Sequence, residues 1–321
     1  MNKKKNLVKI FGFLCGLAMI LTAASVIVRP KDNDVYNLPS YVRTLENLNG
    51  EKENTVDVLF AGDSEASDGF SPLQFWSEQG ISSFNIANPA QILPDTYALT
   101  AQAVKNQDVK LLVLEASCLY LDSDIYSKDP YLRAAEKLFP IVHYHQAYRL
   151  LKPRSVSFGK VRKTDALKGF WLKTNVREWV GDPDYMGDPA EPAQPFGYMA
   201  GDMMEKLYAL CQENGIELLI VSVPAPAYWE YSKHNAVNAW AEEHGVTYID
   251  MNQMNEELGM DWTQDSADGG NHLSFSGTVK VNAWLGQYIK DTYAPADHRG
   301  DAQYDSWKDA LEETGLYGVN S

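Results

Sequence analysis

The sequence predicts an α/β protein: a doubly wound parallel sheet of about five strands with helices on both faces, preceded by one transmembrane helix. Short apolar runs rich in branched residues recur at 56–61, 83–86, 110–114, 217–223 and 247–250. They are apolar throughout rather than alternating, as strands covered on both faces are. Segments of helical periodicity stand between most of them, at 71–79, 94–105, 197–214 and 235–244, and a last one at 276–289 closes the series. Strand and helix in such alternation give parallel pairing. An uncharged stretch at 10–28 precedes them all.

That stretch runs for 19 residues between Lys9 and Arg29, and as a helix it spans about 28 Å, close to the hydrocarbon thickness of a bilayer. The apolar run continues past Thr22, Ala23 and Ala24 through Val26, Ile27 and Val28. This favours a retained anchor over a cleaved signal peptide, whose apolar region is shorter and ends at small residues. Lys3, Lys4, Lys5 and Lys9 precede the span, so by the positive-inside rule they stay cytoplasmic and the body faces outward. Secretion after cleavage at the alanines is the alternative.

The expected organisation is a cytoplasmic tip and anchor at 1–29, a tether at 30–54 with Pro30, Asn33 and Pro39, the folded domain at 55–291, and a C-terminal extension at 292–321. The alternation breaks at about 118–195, where Pro130, Pro140, Pro153, Pro183, Pro189, Pro192 and Pro195 lie among aromatic and charged residues. An irregular insertion over the carboxyl ends of strands forms either a lid or substrate wall, or plain surface.

Charge excludes one class of partner. Of the 28 basic residues, Lys3, Lys4, Lys5, Lys9 and Arg29 stand in a segment without acids; the rest of the chain carries 23 basic against 43 acidic groups, a formal charge of −20. Such a body repels phosphate backbones, so no nucleic acid is expected as partner. The cysteines, Cys15, Cys118 and Cys211, form no CxxC pair and are too few for a zinc cluster. Cys118 and Cys211 are read as buried free thiols, with a disulfide as the alternative.

Chemistry concentrates in two blocks. Ala61-Gly62-Asp63-Ser64-Glu65 follows the first predicted strand, and ligand sites of open α/β sheets form beyond the carboxyl ends of strands. A serine hydroxyl is a poor nucleophile unless an imidazole takes its proton and an acid holds that imidazole in the useful tautomer. Ahead of the last predicted helix, Asp265-Ser266-Ala267-Asp268-Gly269-Gly270-Asn271-His272 supplies both groups from one loop. By itself a Gly-Asp-Ser tripeptide is also an ordinary turn.

Together the blocks resemble the SGNH, or GDSL, hydrolase superfamily over about residues 55–291. The resemblance implies Ser64 as nucleophile, His272 as general base and then acid, and Asp268 as orienting carboxylate. The family's Asp-x-x-His spacing would put the acid at position 269, where Gly269 stands, so Asp265 is the alternative. In the second block Ala87 replaces the family's glycine, and the third reads Leu114-Glu115-Ala116-Ser117 where Gly-x-Asn-Asp is usual. Oxyanion donors therefore cannot be copied. The Ser64 backbone N–H and the side-chain amides of Asn88 and Gln91 are candidates, the amides serving equally well as turn caps; Glu115 either bonds within the site or ends a strand.

The anchor, the altered blocks and the insertion are most similar to the membrane-anchored envelope O-acylation branch, which includes the D-alanyl transfer protein of teichoic acid assembly and partners of membrane-bound O-acyltransferases. The resemblance implies an extracytoplasmic enzyme moving an acyl group, acetyl in the first instance, through an acyl-serine to an envelope or exopolysaccharide glycan, with the donor delivered by a membrane-bound O-acyltransferase and no metal or organic cofactor. The alternatives are a secreted or anchored carbohydrate O-acetylesterase and a non-catalytic scaffold binding glycan or acyltransferase. Of the remaining features, His143, His145 and His234 lack a carboxylate at a compelling spacing for metal. Trp76, Trp229, Trp240 and Trp262 are core or sugar-stacking residues, and Val223-Pro224-Ala225-Pro226 is a rigid turn at the site's rim.

Overall fold

A computed structural model of the chain describes residues 2–28, 40–121, 139, 141, 165–197 and 199–317. His143, His145, Pro130, Pro140 and Pro153 lie outside them. The chain divides into two units, Met1–Arg43 with Ser123–Lys163, and Thr44–Asp122 with Thr164–Ser321. The boundary at Thr44 falls within the stretch expected as a tether, and the expected insertion contributes to both units.

In the first unit α1 (Asn2–Val28) is a continuous helix. Its part Lys5–Val26 is long and apolar enough to cross a membrane, and a signal sequence near an N-terminus meets the same description. Its polar hydroxyls are satisfied within the helix: Thr22 Oγ1 donates to Ala18 O at 2.8 Å and Ser25 Oγ to Leu21 O at 2.7 Å.

The second unit is built on a five-stranded parallel sheet in the order β2-β1-β3-β4-β5. The strands are β1 (Val58–Ala61), β2 (Ser83–Asn85), β3 (Leu111–Glu115), β4 (Glu217–Ser222) and β5 (Thr247–Asp250). Leu59 stands opposite Phe84 on one side and Leu112 on the other, and Leu112 in turn opposite Leu218. Every residue of β1, β2 and β3 is buried, which is why these strands read as unbroken apolar runs. β1 starts two residues later than expected because the N–H groups of Thr55 and Val56 donate to Gln107 Oε1, at 2.9 and 3.1 Å, instead of joining the ladder.

The helices are α2 (Ser40–Leu48), of which Thr44 onward belongs to this unit, then α3 (Ser64–Gly69), α4 (Pro72–Gln79), α5 (Leu93–Ala103), α6 (Ala200–Asn214), α7 (Tyr231–His244), α8 (Phe275–Tyr293) and α9 (Asp305–Thr314). On one face α8 packs against α3 and α4; α5 packs against α6. Side chains alternate across a strand, so Val58, Phe60, Leu111, Val113, Leu219 and Val221 meet Phe75, Val281, Leu285 and Ile289 in one core. Phe60 stacks on Phe70 at 4.9 Å and Phe75 at 4.7 Å, and burying each such ring contributes roughly 1.5 to 3 kcal/mol.

The C-terminal stretch is part of this unit. Trp307 of α9 is fully buried and its Nε1 donates to Ser83 O at 3.0 Å. Lys168, also fully buried, donates to Glu51 Oε1 at 2.9 Å and lies over the Trp307 ring. These contacts hold the amino end of β2 and leave the carboxyl ends of the strands to the site. There the strand order reverses between β1 and β3, so their continuations, Gly62-Asp63-Ser64 and Glu115-Ala116-Ser117, flank the crevice where such sheets bind ligands.

Candidate active site

Ser64 is the first residue of α3, with Asp63 as N-cap accepting the Glu65 N–H at 3.2 Å. The turn before it requires glycine. Gly62 has φ +144°, and a Cβ there would lie 2.9 Å from the Cβ atoms of both Ala66 and Glu115. The backbone of β1's continuation is thus pressed onto the end of β3. At the helix start the Ser64 N–H has no intrahelical acceptor, and the side chain stays partly exposed. Ser64 Oγ donates to Glu65 Oε2 at 3.0 Å.

The second block forms a tight loop. Ser266 and Leu273 form an antiparallel bridge, closed by Ala267 N–H to His272 O and Ser274 N–H to Asp265 O, each at 2.9 Å. Between them Gly269 and Gly270 adopt φ +93° and +109°, and both N–H groups donate to Ser266 Oγ. This conformation accommodates the extra residue and brings Asp268 Oδ2 to 2.5 Å from His272 Nδ1. Burial pushes the Asp268 carboxyl up, but hydrogen bonds from the His272 ring and from the N–H groups of His272 and Asn271 outweigh it and hold it below the ordinary range. Asp265 serves another purpose: fully buried, it accepts from Lys280 Nζ, Ser276 Oγ and the Asp261 N–H. It anchors the loop to α8, leaving Asp268 as partner of the imidazole.

The two blocks belong to helices that are tied together, since Thr278 Oγ1 in the first turn of α8 donates to Asp68 O of α3 at 2.9 Å. The Asp68 carboxylate is buried; burial raises its pKa, while the charges of Lys173 and His272 oppose the rise. Lys173 Nζ lies 3.4 Å from Asp68 Oδ2. Ser64 and His272 share no hydrogen bond in this conformation, because the serine hydroxyl points to Glu65.

Residues 171–179 of the insertion run as a wall along the His272 loop. Their backbone bonds it through Arg177 N–H to Ser266 O at 3.0 Å, Gly269 N–H to Arg177 O at 3.1 Å and Phe275 N–H to Lys173 O at 2.8 Å. At Gly270 a Cβ would meet Trp179 Cδ1 at 2.5 Å. Trp179, Trp262 and Tyr185 form an edge-to-face cluster here. Directly after the expected rim turn, the Ala227 N–H donates to Gly270 O of the same loop at 2.9 Å.

Asn88 and Gln91 are bonded to each other and to their neighbours. Both are buried; Asn88 Nδ2 donates to Gln91 Oε1 at 2.6 Å and Ile86 O at 3.3 Å, Asn88 Oδ1 accepts from Thr44, and Gln91 Nε2 donates to Thr96 Oγ1. Both amide protons of Asn88 are therefore spent. The Ala87 and Ser117 N–H groups are engaged as well, by Asn85 Oδ1 and Glu115 Oε2. The Ser64 N–H, at a helix start, is the oxyanion candidate without an intrahelical acceptor. Trp76 and Trp229 are core residues, Trp229 donating to Asp250 Oδ2, which also bonds His234 Nδ1 at 2.8 Å. Trp240 donates to Glu205. Cys118 and Cys211 are buried free thiols.

Sequence reasoning did not foresee the setting of Glu115. Asp63, Glu65 and Glu115, all buried, each bring one carboxylate oxygen within 4.8 Å of the others. Two full charges at about that separation repel by roughly 3 to 4 kcal/mol at an effective dielectric of about 20. Burial, with the Glu65 charge, pushes Glu115 up to about 8, and burial with both neighbours pushes Asp63 up too. Among the described residues this is the group whose geometry suits a metal, and oxygen donors suit a hard cation. Its oxygens are, however, already engaged by Ser117 and backbone N–H groups.

No protein-family model and no curated protein matches the sequence. Solved structures are similar to it, among them the following three. One, described as an acylhydrolase from Bacteroides fragilis, has 13% identity and a TM-score of 0.40 and covers 81% of this chain and 99% of its own. A GDSL-like lipase from Bacteroides thetaiotaomicron has 12% identity and a TM-score of 0.40 and covers 78% of this chain and 97% of its own. The third, described as a platelet activating factor from Streptococcus pneumoniae, has 10% identity and a TM-score of 0.36 and covers 90% of this chain and 100% of its own.

Proposed function

We infer that the chain is an extracytoplasmic SGNH-type serine enzyme that moves an acyl group, acetyl in the first instance, through an acyl-serine on Ser64. The observation that carries this reading is the Asp268–His272 pair, held at 2.5 Å on a closed loop ahead of α8, the helix tied to the one that Ser64 begins. Ser64 Oγ attacks the acyl carbonyl while His272 Nε2 takes its proton and Asp268 stabilises the imidazolium. The tetrahedral oxyanion is met by the Ser64 N–H. Collapse breaks the bond to the leaving alcohol, which receives the proton from His272. An acceptor hydroxyl, deprotonated by His272, then takes the acyl group and frees Ser64. Before attack, Ser64 Oγ exchanges Glu65 for the imidazole by moving between staggered χ1 wells.

The acceptor on this reading is an envelope or exopolysaccharide glycan, with the donor supplied by a membrane-bound O-acyltransferase and α1 as anchor. Hydrolysis is the second reading, favoured by the 24% exposure of the His272 side chain, which admits water. The test is intact-mass analysis of the full-length chain treated with 4-nitrophenyl acetate. An acetyl adduct on the Ser64 peptide, absent in Ser64→Ala and slow to form in His272→Ala, supports the reading, and adduct formation unaffected by Ser64→Ala overturns it. Loss of the adduct to an added acetyl-free polysaccharide faster than to water selects transfer. Unchanged acyl content of the native polymer in Ser64→Ala cells with normal protein levels selects the scaffold.

A further inference from the structure

The stretch of the insertion that lines the His272 loop also reaches the helix that Ser64 begins, and it bonds at every second residue. The Trp171 N–H donates to Ser67 O of α3 at 2.9 Å. Lys173 accepts the Phe275 N–H of α8 on its backbone oxygen at 2.8 Å, while its Nζ lies 3.4 Å from Asp68 Oδ2 of α3. Asn175 Nδ2 donates to Ala267 O at 2.5 Å. Arg177 uses both backbone groups, its N–H donating to Ser266 O and its oxygen accepting from the Gly269 N–H, and the Trp179 N–H donates to Trp262 O at 3.1 Å. A period of two belongs to an extended chain, in which the N–H and C=O of alternate residues face one side. These bonds, rather than packing of the side chains between them, hold the stretch in place: Thr174, Val176 and Glu178 are exposed.

Lys173 is where the two halves of the site are joined. Its ammonium is on α3 and its carbonyl is on the first residue of α8, just past the His272 loop. The Asp68 carboxylate is buried and otherwise accepts from Ser67 Oγ at 3.0 Å, so without the ammonium a buried charge keeps one neutral donor.

We propose that residues 171–179 are a strap that sets how α3 and the Asp268–His272 loop stand toward each other, with Lys173 as its positioning residue. The proposal rests on Ser64 as nucleophile and His272 as base, and it gives this part of the insertion a role in proton transfer rather than in substrate contact. Ser64 Oγ leaves Glu65 for the imidazole by rotation about one bond. Such a rotation suffices only while the two backbones keep their spacing, since a displacement of about 1 Å costs on the order of 10^2 in rate.

The test compares the full-length wild type, Lys173→Met, Lys173→Arg and Asn175→Ala with 4-nitrophenyl acetate as substrate. Lys173→Met keeps the apolar stem but removes the ammonium, and lowers kcat about tenfold to a hundredfold with KM within about twofold. Lys173→Arg restores the ion pair and recovers most of that loss. Asn175→Ala removes one bond of the strap at an exposed position and lowers kcat about threefold at unchanged KM, deciding alone if Lys173→Met does not fold. A raised KM at unchanged kcat makes the segment a substrate wall and overturns the proposal. An Arg variant as impaired as Met overturns it too, as does wild-type kcat in both Lys173→Met and Asn175→Ala.

A readout without turnover separates the strap from the nucleophile. Hydrogen–deuterium exchange is followed in the peptide 264–276, whose Gly269 and Phe275 amides donate to the strap, and in α7 as control. Lys173→Met speeds exchange in the first by about tenfold and leaves α7 unchanged, and Lys173→Arg restores protection. Unchanged exchange in 264–276, or an equal rise in α7, overturns the strap. A rise confined to 264–276 alongside turnover unaffected by Ser64→Ala sustains the strap and overturns the nucleophile.

Discussion

Asp268 on the loop before α8 and Glu115 beneath the turn before α3 are acids of the candidate site in opposite environments. Asp268 keeps 37% of its side chain exposed and accepts two backbone N–H groups besides the imidazole, which holds it ionised. Glu115 is 1% exposed, has one good backbone donor, and shares its surroundings with Asp63 and Glu65. A tight turn that aims N–H groups at a carboxylate favours the charge; withdrawing water and crowding acids favours the proton. One unit thus holds an acid pushed down and an acid pushed up, each by its own surroundings.

The strongest way to break this comparison is to find the base at the front. Ser64 Oγ donates to Glu65 in this conformation, so Glu65 competes with His272 as proton acceptor. His272→Ala is expected to lower kcat on 4-nitrophenyl acetate by about 10^3 to 10^4, and Glu65→Gln by no more than about tenfold. The reverse order would move the chemistry to the front turn. Asp268→Asn follows, with a loss of about 10^2 to 10^4 through the wrong imidazole tautomer. Asp265→Asn should instead leave kcat within a few-fold and lower stability by about 1 to 3 kcal/mol, because it weakens a buried acceptor of three donors, Lys280 among them. Steady-state kinetics and urea melts of both variants decide it.

Packing differs between the two ends as well. Gly62→Ala puts a methyl 2.9 Å from two Cβ atoms at a positive φ, so a loss of roughly 2 to 4 kcal/mol is expected together with most of the activity. At Gly269 the nearest atoms belong to the long Arg177 side chain, at 3.6 Å, and strain at φ +93° alone should cost about 1 to 2 kcal/mol. Chemical denaturation of the pair measures the difference. Equal losses would mean that the front turn is no tighter than the loop.

The sequence made the strands legible, each within two residues of its expected ends, because burial on both faces writes one unbroken apolar run per strand. Their order and the switch point between β1 and β3 depend on crossovers that no local pattern encodes. α9 was passed over as an extension; its Trp307, Ala310 and Leu311 at helical spacing are the signal that finds it. The pairing of Asp268 with His272 was readable from two residue types on one loop, while Ser64's present bond to Glu65 was not. The setting of Glu115 was hidden because it requires knowing that β3 lies beside β1. An acid closing the run Leu111-Leu112-Val113-Leu114 was the clue, and pairing of β3 with β1 brings it beside Asp63. Which of their two expected roles Asn88 and Gln91 take was hidden for the same reason, since their partners Thr44 and Thr96 come from α2 and α5.

The smallest effect expected is also the one that tests whether the two ends are independent. Asp268 has a folded-state pKa below the ordinary 3.8, so the stability it contributes is present above that value and lost as pH falls through the lower one. Glu115 acts in the opposite sense, over the window from 4.5 to about 8. Melting temperatures from about pH 3 to pH 8 should therefore show Asp268→Asn flattening only the acidic flank and Glu115→Gln only the neutral one, each by a few degrees at most, and the double variant should show the sum. Coupling beyond that sum would mean that the two acids sense each other, with Asp68 as the link, since its carboxyl group responds to the His272 charge and its own helix begins at Ser64.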